Sequence, residues 1–432
     1  MSVDSAVAPA LVAPPVEVVA LGREDSAAVL DLDRWAFALD RDQLLPADEQ
    51  AIADALEWDR TYGARLAQGD GSARLAGIYS VRSGEAVVPG GASVPCSGLT
   101  WVGVHPRDRR RGVLTALMRH HLADVAARGE PFSLLYAAEA TIYGRFGYGT
   151  AASSAVLTLP RGPAWRDVPG SDDLVVDVDR ADARPWAATL AGCYERGRRG
   201  RPGWLSRERA EIWGEILLDP RRTRRGAESR LVMTVSTPDG ELRGYALFRR
   251  LPKWEHNAPA GTVEVEEAVT LDARAARALW GRLADLDLTS SVETPYLPVD
   301  DPLLHLLADP RAARPQLTDG LWARLVDVPS ALARRTYARD VDVVLAVTDA
   351  RLPANAGRWH LLGDGDGARC EPTSAPAQLG LDVRELGAAY FGGPSLAGLA
   401  GAGLVDVHDD AALARTSTAF TSPVAPHCGW IF

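Results

Sequence analysis

The run Val102-Gly103-Val104-His105-Pro106-Arg107-Asp108-Arg109-Arg110-Arg111-Gly112-Val113-Leu114 constrains this chain more than any other stretch. An apolar, strand-like segment enters a basic turn punctuated by proline and glycine, and an amphipathic helix leaves it. The helix reads over residues 112–128, because Val113, Leu114, Leu117, Met118, Leu122 and Val125 recur at spacings of three and four. Gly129 stands where a helix stop is expected. Cations at a helix N-terminus oppose the helix dipole by about 0.3–1 kcal/mol each when exposed. Three arginines there are unfavourable unless an anion visits, and the backbone N–H groups of such a turn suit a phosphate. A solvated basic turn is the plainer alternative, and the flanking segments decide between the two.

Residues 132–138 form a second apolar run of strand length. It leads into Glu139-Ala140-Thr141-Ile142-Tyr143-Gly144-Arg145-Phe146-Gly147-Tyr148-Gly149. Strand, Arg-x-x-Gly turn, helix, strand and a short tyrosine-bearing helix together resemble the acetyl-CoA-binding core of the GNAT N-acetyltransferases. Leu114 departs from the small residue usual at the third position of that motif. Arg-Arg-Arg-Gly-x-Leu combined with Ile-Tyr-Gly-Arg-Phe-Gly-Tyr resembles the Eis-type (enhanced intracellular survival) branch. The aromatic close Pro426-His427-Cys428-Gly429-Trp430-Ile431-Phe432 agrees. From the residues alone it reads as a buried anchor, because termini are ordinarily polar and loose.

The resemblance implies an α/β (α+β) fold of two tandem GNAT-like domains, the second degenerate, followed by a sterol-carrier-protein-like domain. The expected divisions are a loose tail over 1–15, a catalytic GNAT domain over 16–161, a degenerate one over 162–310 and the last domain over 311–432. Within the first, 16–20 and 73–81 read as strands and 26–39 and 47–62 as amphipathic helices. In the second, 231–235 and 242–249 read as a hairpin, and 263–269 leads to a helix capped by Asp272. The acidic and methyl side chains there would repel or obstruct a pyrophosphate. In the third, 322–328, 341–347, 358–362 and 378–383 read as strands, and 382–390 and 395–401 as helices.

The resemblance also assigns roles. Backbone around Arg110, Arg111, Gly112, Val113, Leu114 and Thr115 would hold the pyrophosphate of acetyl-CoA. Val102, Gly103 and Val104 would pair with the pantetheine arm, and Ala138 and Glu139 would line it. Gly103 suits a place where a ligand backbone approaches closely. Tyr143 would be the general acid and the α-carboxylate of Phe432 the base. Tyr136 and Tyr148 read as packing residues. Trp35, Phe37 and Asp40 would border the amine pocket, with ordinary core as the alternative for the two aromatics. Some family members carry an acid beside the terminal Phe, where this chain has Ile431.

The expected activity is acetyl-CoA-dependent transfer to a primary amine of aminoglycoside, polyamine or lysine-like type, small molecule or peptide, in a ternary complex. A non-catalytic acyl-CoA sensor or assembly protein is the alternative, and a lipid carrier rests on the last domain alone. A homohexamer is implied by the resemblance. At 432 residues the chain is long enough for several domains. Its formal charge of −10 argues against a nucleic-acid partner. The four cysteines, Cys96, Cys193, Cys370 and Cys428, are scattered and suggest neither a metal site nor a disulfide framework. No apolar run is long enough to span a bilayer and no signal peptide is legible, so a cytoplasmic enzyme without metal or membrane partner is expected.

Overall fold

A computed structural model of the chain describes residues 16–40, 44–68 and 70–432. The segment 1–15, read as a loose tail, lies outside the described residues. The first unit runs β1 (Val16–Ala20), α1 (Ser26–Phe37), α2 (Pro46–Ala55), β2 (Tyr62–Ala67), β3 (Ala73–Val87), β4 (Ser93–Val104), α3 (Val113–Ala127), β5 (Phe132–Tyr136), α4 (Ala140–Tyr143) and β6 (Gly149–Thr150). The helix expected over 47–62 is shorter. It ends at Ala55, where the Trp58 indole donates to the Ala53 carbonyl at 3.0 Å, and Tyr62 opens β2 instead.

The second unit follows with β7 (Ser153–Val156), β8 (Thr158–Pro160), β9 (Val175–Arg180), α5 (Trp186–Arg198), α6 (Ala210–Leu217), β10 (Leu231–Ser236) and β11 (Leu242–Leu251). A small hairpin, β12 (Trp254–Glu255) and β13 (Ala258–Pro259), precedes β14 (Gly261–Thr270), α7 (Ala273–Leu283), β15 (Thr289–Glu293), β16 (Leu297–Pro298) and α8 (Pro302–Leu306). The chain ends with β17 (Gln316–Asp319), β18 (Leu321–Leu325), α9 (Val328–Ala333), β19 (Val341–Thr348), β20 (Gly357–Gly363), β21 (Ala368–Pro372), β22 (Leu379–Asp382), α10 (Val383–Tyr390), α11 (Leu396–Gly401), β23 (Val405–Val407) and α12 (Asp410–Ala419).

Three main sheets result. The first has the order β1-β2-β3-β4-β5-β18-β6, the second β8-β15-β14-β11-β10-β9, and the third β21-β20-β19-β22-β23. Mixed sheets flanked by helices give the α/β character that the sequence predicts. The strand anticipated near 322–328 is β18, and it crosses back into the first sheet, antiparallel to β5 from Leu321 opposite Tyr136 to Leu325 opposite Phe132. Its Arg324 is fully buried and binds Asp349 through two bonds of 2.8 and 2.6 Å. The same guanidinium donates to the Phe146 carbonyl at 2.9 Å. Gly147 makes room for it: φ is 86°, and a Cβ there would come within 2.6 Å of Arg324 Nε. A long-range ion pair thus fixes the Arg-Phe-Gly-Tyr turn after α4. One continuous core takes Phe132 and Leu134 from the first sheet, Trp186 and Trp213 from the second unit, Leu345 and Phe391 from the third, and Cys428 and Trp430 from the tail.

Candidate active site

The site begins where β4 and β5 part. They pair in parallel only at Ser97 with Ser133 and Gly98 with Leu134. Beyond that fork β4 runs on to Val104 and β5 to Tyr136, and a cavity of about 1270 Å³ opens there. Just past the fork β4 bulges. Ile78 faces Gly103 and Ser80 faces Thr100, so two residues, Trp101 and Val102, stand against Tyr79 alone. Trp101 takes the left-handed conformation, with φ of 55°. A bulge withdraws backbone groups from the ladder and turns the strand, so β4 can offer hydrogen bonds to an extended ligand laid in the fork.

Val102, Gly103 and Val104 line this cavity. Gly103 answers first to packing, because a Cβ there would come within 2.9 Å of the Ala36 methyl on α1. At the far end of β4, Arg110 and Gly112 both adopt positive φ, 62° and 82°, and Gly112 caps α3. Arg109, Arg110, Gly112, Val113, Leu114 and Thr115 face the cavity. Arg111 turns away and binds Asp108 at 3.1 Å. Asp108 is fully buried and also holds Arg74. Burial alone would raise its carboxyl, but Arg74, Arg111 and Arg107 keep it below the ordinary range. An internal anion therefore balances part of the basic turn, which leaves Arg109 and Arg110 for an external one.

Ala138, Glu139 and Tyr143 form the wall after β5. The Tyr143 ring is buried and packs edge-on against Tyr148 at 6.0 Å. Burial, with Glu139 adding to it, pushes the phenol up to about 12, so it stays protonated throughout the neutral range. Tyr148 bonds Ser133 at 2.8 Å in the core, as a packing residue does. Tyr136 does more, because its hydroxyl donates to the Cys428 carbonyl at 2.6 Å and pins the tail across the fork.

That tail ends in the same cavity. The Phe432 ring meets Tyr136 at 5.8 Å and Trp430 at 5.6 Å. A Cβ on Gly98, the last paired residue, would come within 3.0 Å of Phe432 Cε2. Tyr143 and Phe432 therefore share one cavity with the basic turn. Of the amine-pocket residues, Phe37 lines the cavity. Trp35 is turned onto His105, with ring centroids 5.1 Å apart. Asp40 is exposed beyond the end of α1 and stands outside the cavity wall.

Sequence reasoning passed over Asp33, one helical turn before Phe37 on the same face of α1. It lines the cavity, and burial, opposed by Arg34, raises its carboxyl to about 6. The i, i+4 spacing from Phe37 was the available signal. Tyr296 and Asp319 also reach the wall from the second unit and β17. Among the described residues no group of three or more His, Cys, Asp or Glu is placed to hold a metal, and no helix is long and apolar enough to cross a membrane.

Comparison with known proteins identifies the fold and the family. A family model described as an acetyltransferase (GNAT) domain matches residues 17–151, and a second with the same description matches 203–326. A sterol carrier protein domain matches 328–429. An uncharacterized N-acetyltransferase of Streptomyces coelicolor is 44% identical over 388 residues, 88% of this chain and 92% of that protein. The N-acetyltransferase Eis of Mycobacterium tuberculosis is 37% identical over 344 residues, 78% of this chain and 81% of that one. The crystal structure of Eis1 from Mycobacterium abscessus superposes with a TM-score of 0.79 at 33% identity, covering 97% of this chain and 100% of the other.

Proposed function

This chain belongs to the GNAT N-acetyltransferases of the Eis type, and from that premise we propose that it moves an acetyl group from acetyl-CoA to a primary amine within a ternary complex. The observation that carries the reading is the fork at Gly98, with the basic turn at one end of its cavity and Tyr143 and Phe432 in its walls. The pyrophosphate binds the backbone from Arg110 to Thr115, with Arg109 and Arg110 supplying charge. The pantetheine arm lies along Val102 to Val104, and Ala138 and Glu139 flank it. Backbone N–H groups freed at the Trp101 bulge polarise the thioester carbonyl.

The amine must arrive neutral. The Phe432 α-carboxylate takes its proton, directly or through water. An α-carboxyl group's ordinary value, about 3.3–3.7, is low for a base, so it acts chiefly by anchoring the cationic amine and relaying its proton. The nitrogen lone pair then attacks the carbonyl carbon, and the tetrahedral intermediate collapses with cleavage of the C–S bond. Tyr143 gives its proton to the departing sulfur, and the proton that the nitrogen sheds as it becomes an amide returns, directly or through water, to the tyrosinate. A phenol near 12 is a weak acid, so the proton moves only as negative charge develops on the thiolate.

Asp33 gives the cavity a carboxylate for a cationic substrate where Ile431 offers none. Aminoglycoside, polyamine and lysine-like amines all suit such a wall. The family likeness also makes a homohexamer acting in the cytoplasm the expected form. The test is release of CoA thiol from acetyl-CoA with a panel of these amines. Amine-dependent release supports the reading, and binding of acetyl-CoA without release to any amine overturns it.

A further inference from the structure

The second unit keeps the bulged strand of the first and fills the place beside it with charge. Between Leu247 opposite Glu267 and Phe248 opposite Val265, β14 carries the extra residue Glu266. Next to it, Glu267 receives two bonds from Arg207, at 3.1 and 2.6 Å, and one from the Tyr245 hydroxyl. The Arg207 side chain is wholly buried. Burial would weaken its charge, but Glu267 more than offsets that, so it stays cationic. Its Nε has no hydrogen-bond partner among the described residues. Aromatic faces close its surroundings instead: Tyr194 at 4.0 Å, Trp430 at 5.0 Å and Trp213 at 5.2 Å from the guanidinium carbon.

A buried ion pair is a poor way to gain stability, because apolar residues of the same volume often do as well. What it does supply is a fixed position. The Trp430 indole that rests on Arg207 touches the Phe432 ring at 5.6 Å, and that ring lies over the fork at Gly98. We propose that the Arg207–Glu267 pair of the second unit positions the Phe432 carboxylate, the guanidinium holding the indole and the indole holding the terminal ring. This rests on the reading of Phe432 as the base. Arg207 is a positioning residue and touches no reacting atom.

The experiment combines Arg207→Met and Arg207→Lys with deletion of Phe432. In the full chain Arg207→Met lowers kcat roughly 10- to 100-fold, the loss expected when a reacting group shifts by about 1 Å. The acetyl-CoA Kd stays within about twofold, because the turn at Arg110 is untouched, and Arg207→Lys recovers part of kcat. In the Phe432-deleted enzyme Arg207→Met causes no further loss of the residual turnover. An equal loss with and without Phe432, or a parallel loss of acetyl-CoA binding, marks Arg207 as merely structural and overturns the proposal. If Arg207→Met does not fold, Trp430→Leu leaves the ion pair in place and must show the same dependence on Phe432. Should deletion of Phe432 leave turnover intact, the assignment of the base fails first. Should deletion abolish turnover while Arg207→Met spares it, only the positioning role fails.

Discussion

The two GNAT units place the same parts in the same order and begin the matching helix in opposite ways. In the first, α3 starts from Gly112 in a left-handed conformation, with Arg109 and Arg110 facing an open cavity. In the second, α7 starts from Asp272, whose carboxylate accepts from the Ala275 N–H at 2.8 Å and binds Arg243 at 2.7 Å. One helix N-terminus opens on the cavity, while the other is met by a carboxylate of its own sequence. The strands repeat the contrast. Past its bulge, β4 lines the cavity with Val102, Gly103 and Val104, whereas β14 offers Glu266 to Arg230 and Arg249, and Glu267 to Arg207. The second unit satisfies internally the polar groups that the first leaves on a cavity wall.

Substitutions in the two units should differ in their effects, the largest falling on the chemistry. Tyr143→Phe is expected to lower kcat about 10²- to 10⁴-fold, the range for loss of a positioned general acid, with acetyl-CoA affinity nearly unchanged. Steady-state kinetics beside equilibrium binding checks it, and near-normal turnover would remove the first unit's claim to the reaction. The next test sets one buried carboxylate against another. Glu267→Gln strands Arg207 and should cost about 3–5 kcal/mol in chemical denaturation.

Asp33→Asn should act in the opposite direction. Burial raises the Asp33 carboxyl from 3.8 to about 6. Between about pH 4 and pH 6 the native state therefore binds more protons than the unfolded chain, and stability falls as pH rises through that window. The Asn variant should be more stable at pH 7, on the order of 1–3 kcal/mol, with the difference gone below about pH 4. Its KM for a cationic amine should rise at the same time. Last, Asp272→Ala should cost about 1 kcal/mol of stability, as loss of an N-cap does, with turnover per folded molecule unchanged.

What the sequence made legible was local. The strand, basic turn and helix from Val102 to Ala127 and the Asp272 cap each depend on neighbours within a few positions. Their periodicity and capping chemistry are written in one short window. The rest depends on contacts between residues far apart in the chain. Nothing near Leu321 says that β18 will lie between β5 and β6, and nothing near Arg324 announces Asp349. The choice of Arg111 rather than Arg110 as partner of Asp108 follows from the backbone turn, not from composition. The reading of Gly103 as a ligand contact missed Ala36, because the approach of α1 is a packing fact. Tyr136, read as core filler, gained its role only once Cys428 was brought to it across 292 positions.

Under the proposed function one unit binds the acyl donor and the other does not. Titration calorimetry with acetyl-CoA tests it most directly, on the wild type beside Arg110→Glu in the first unit and Arg274→Glu at the start of α7. One site per chain is expected, weakened about tenfold or more by Arg110→Glu and unmoved by Arg274→Glu. Two sites per chain, or one site that follows Arg274 instead of Arg110, would contradict it.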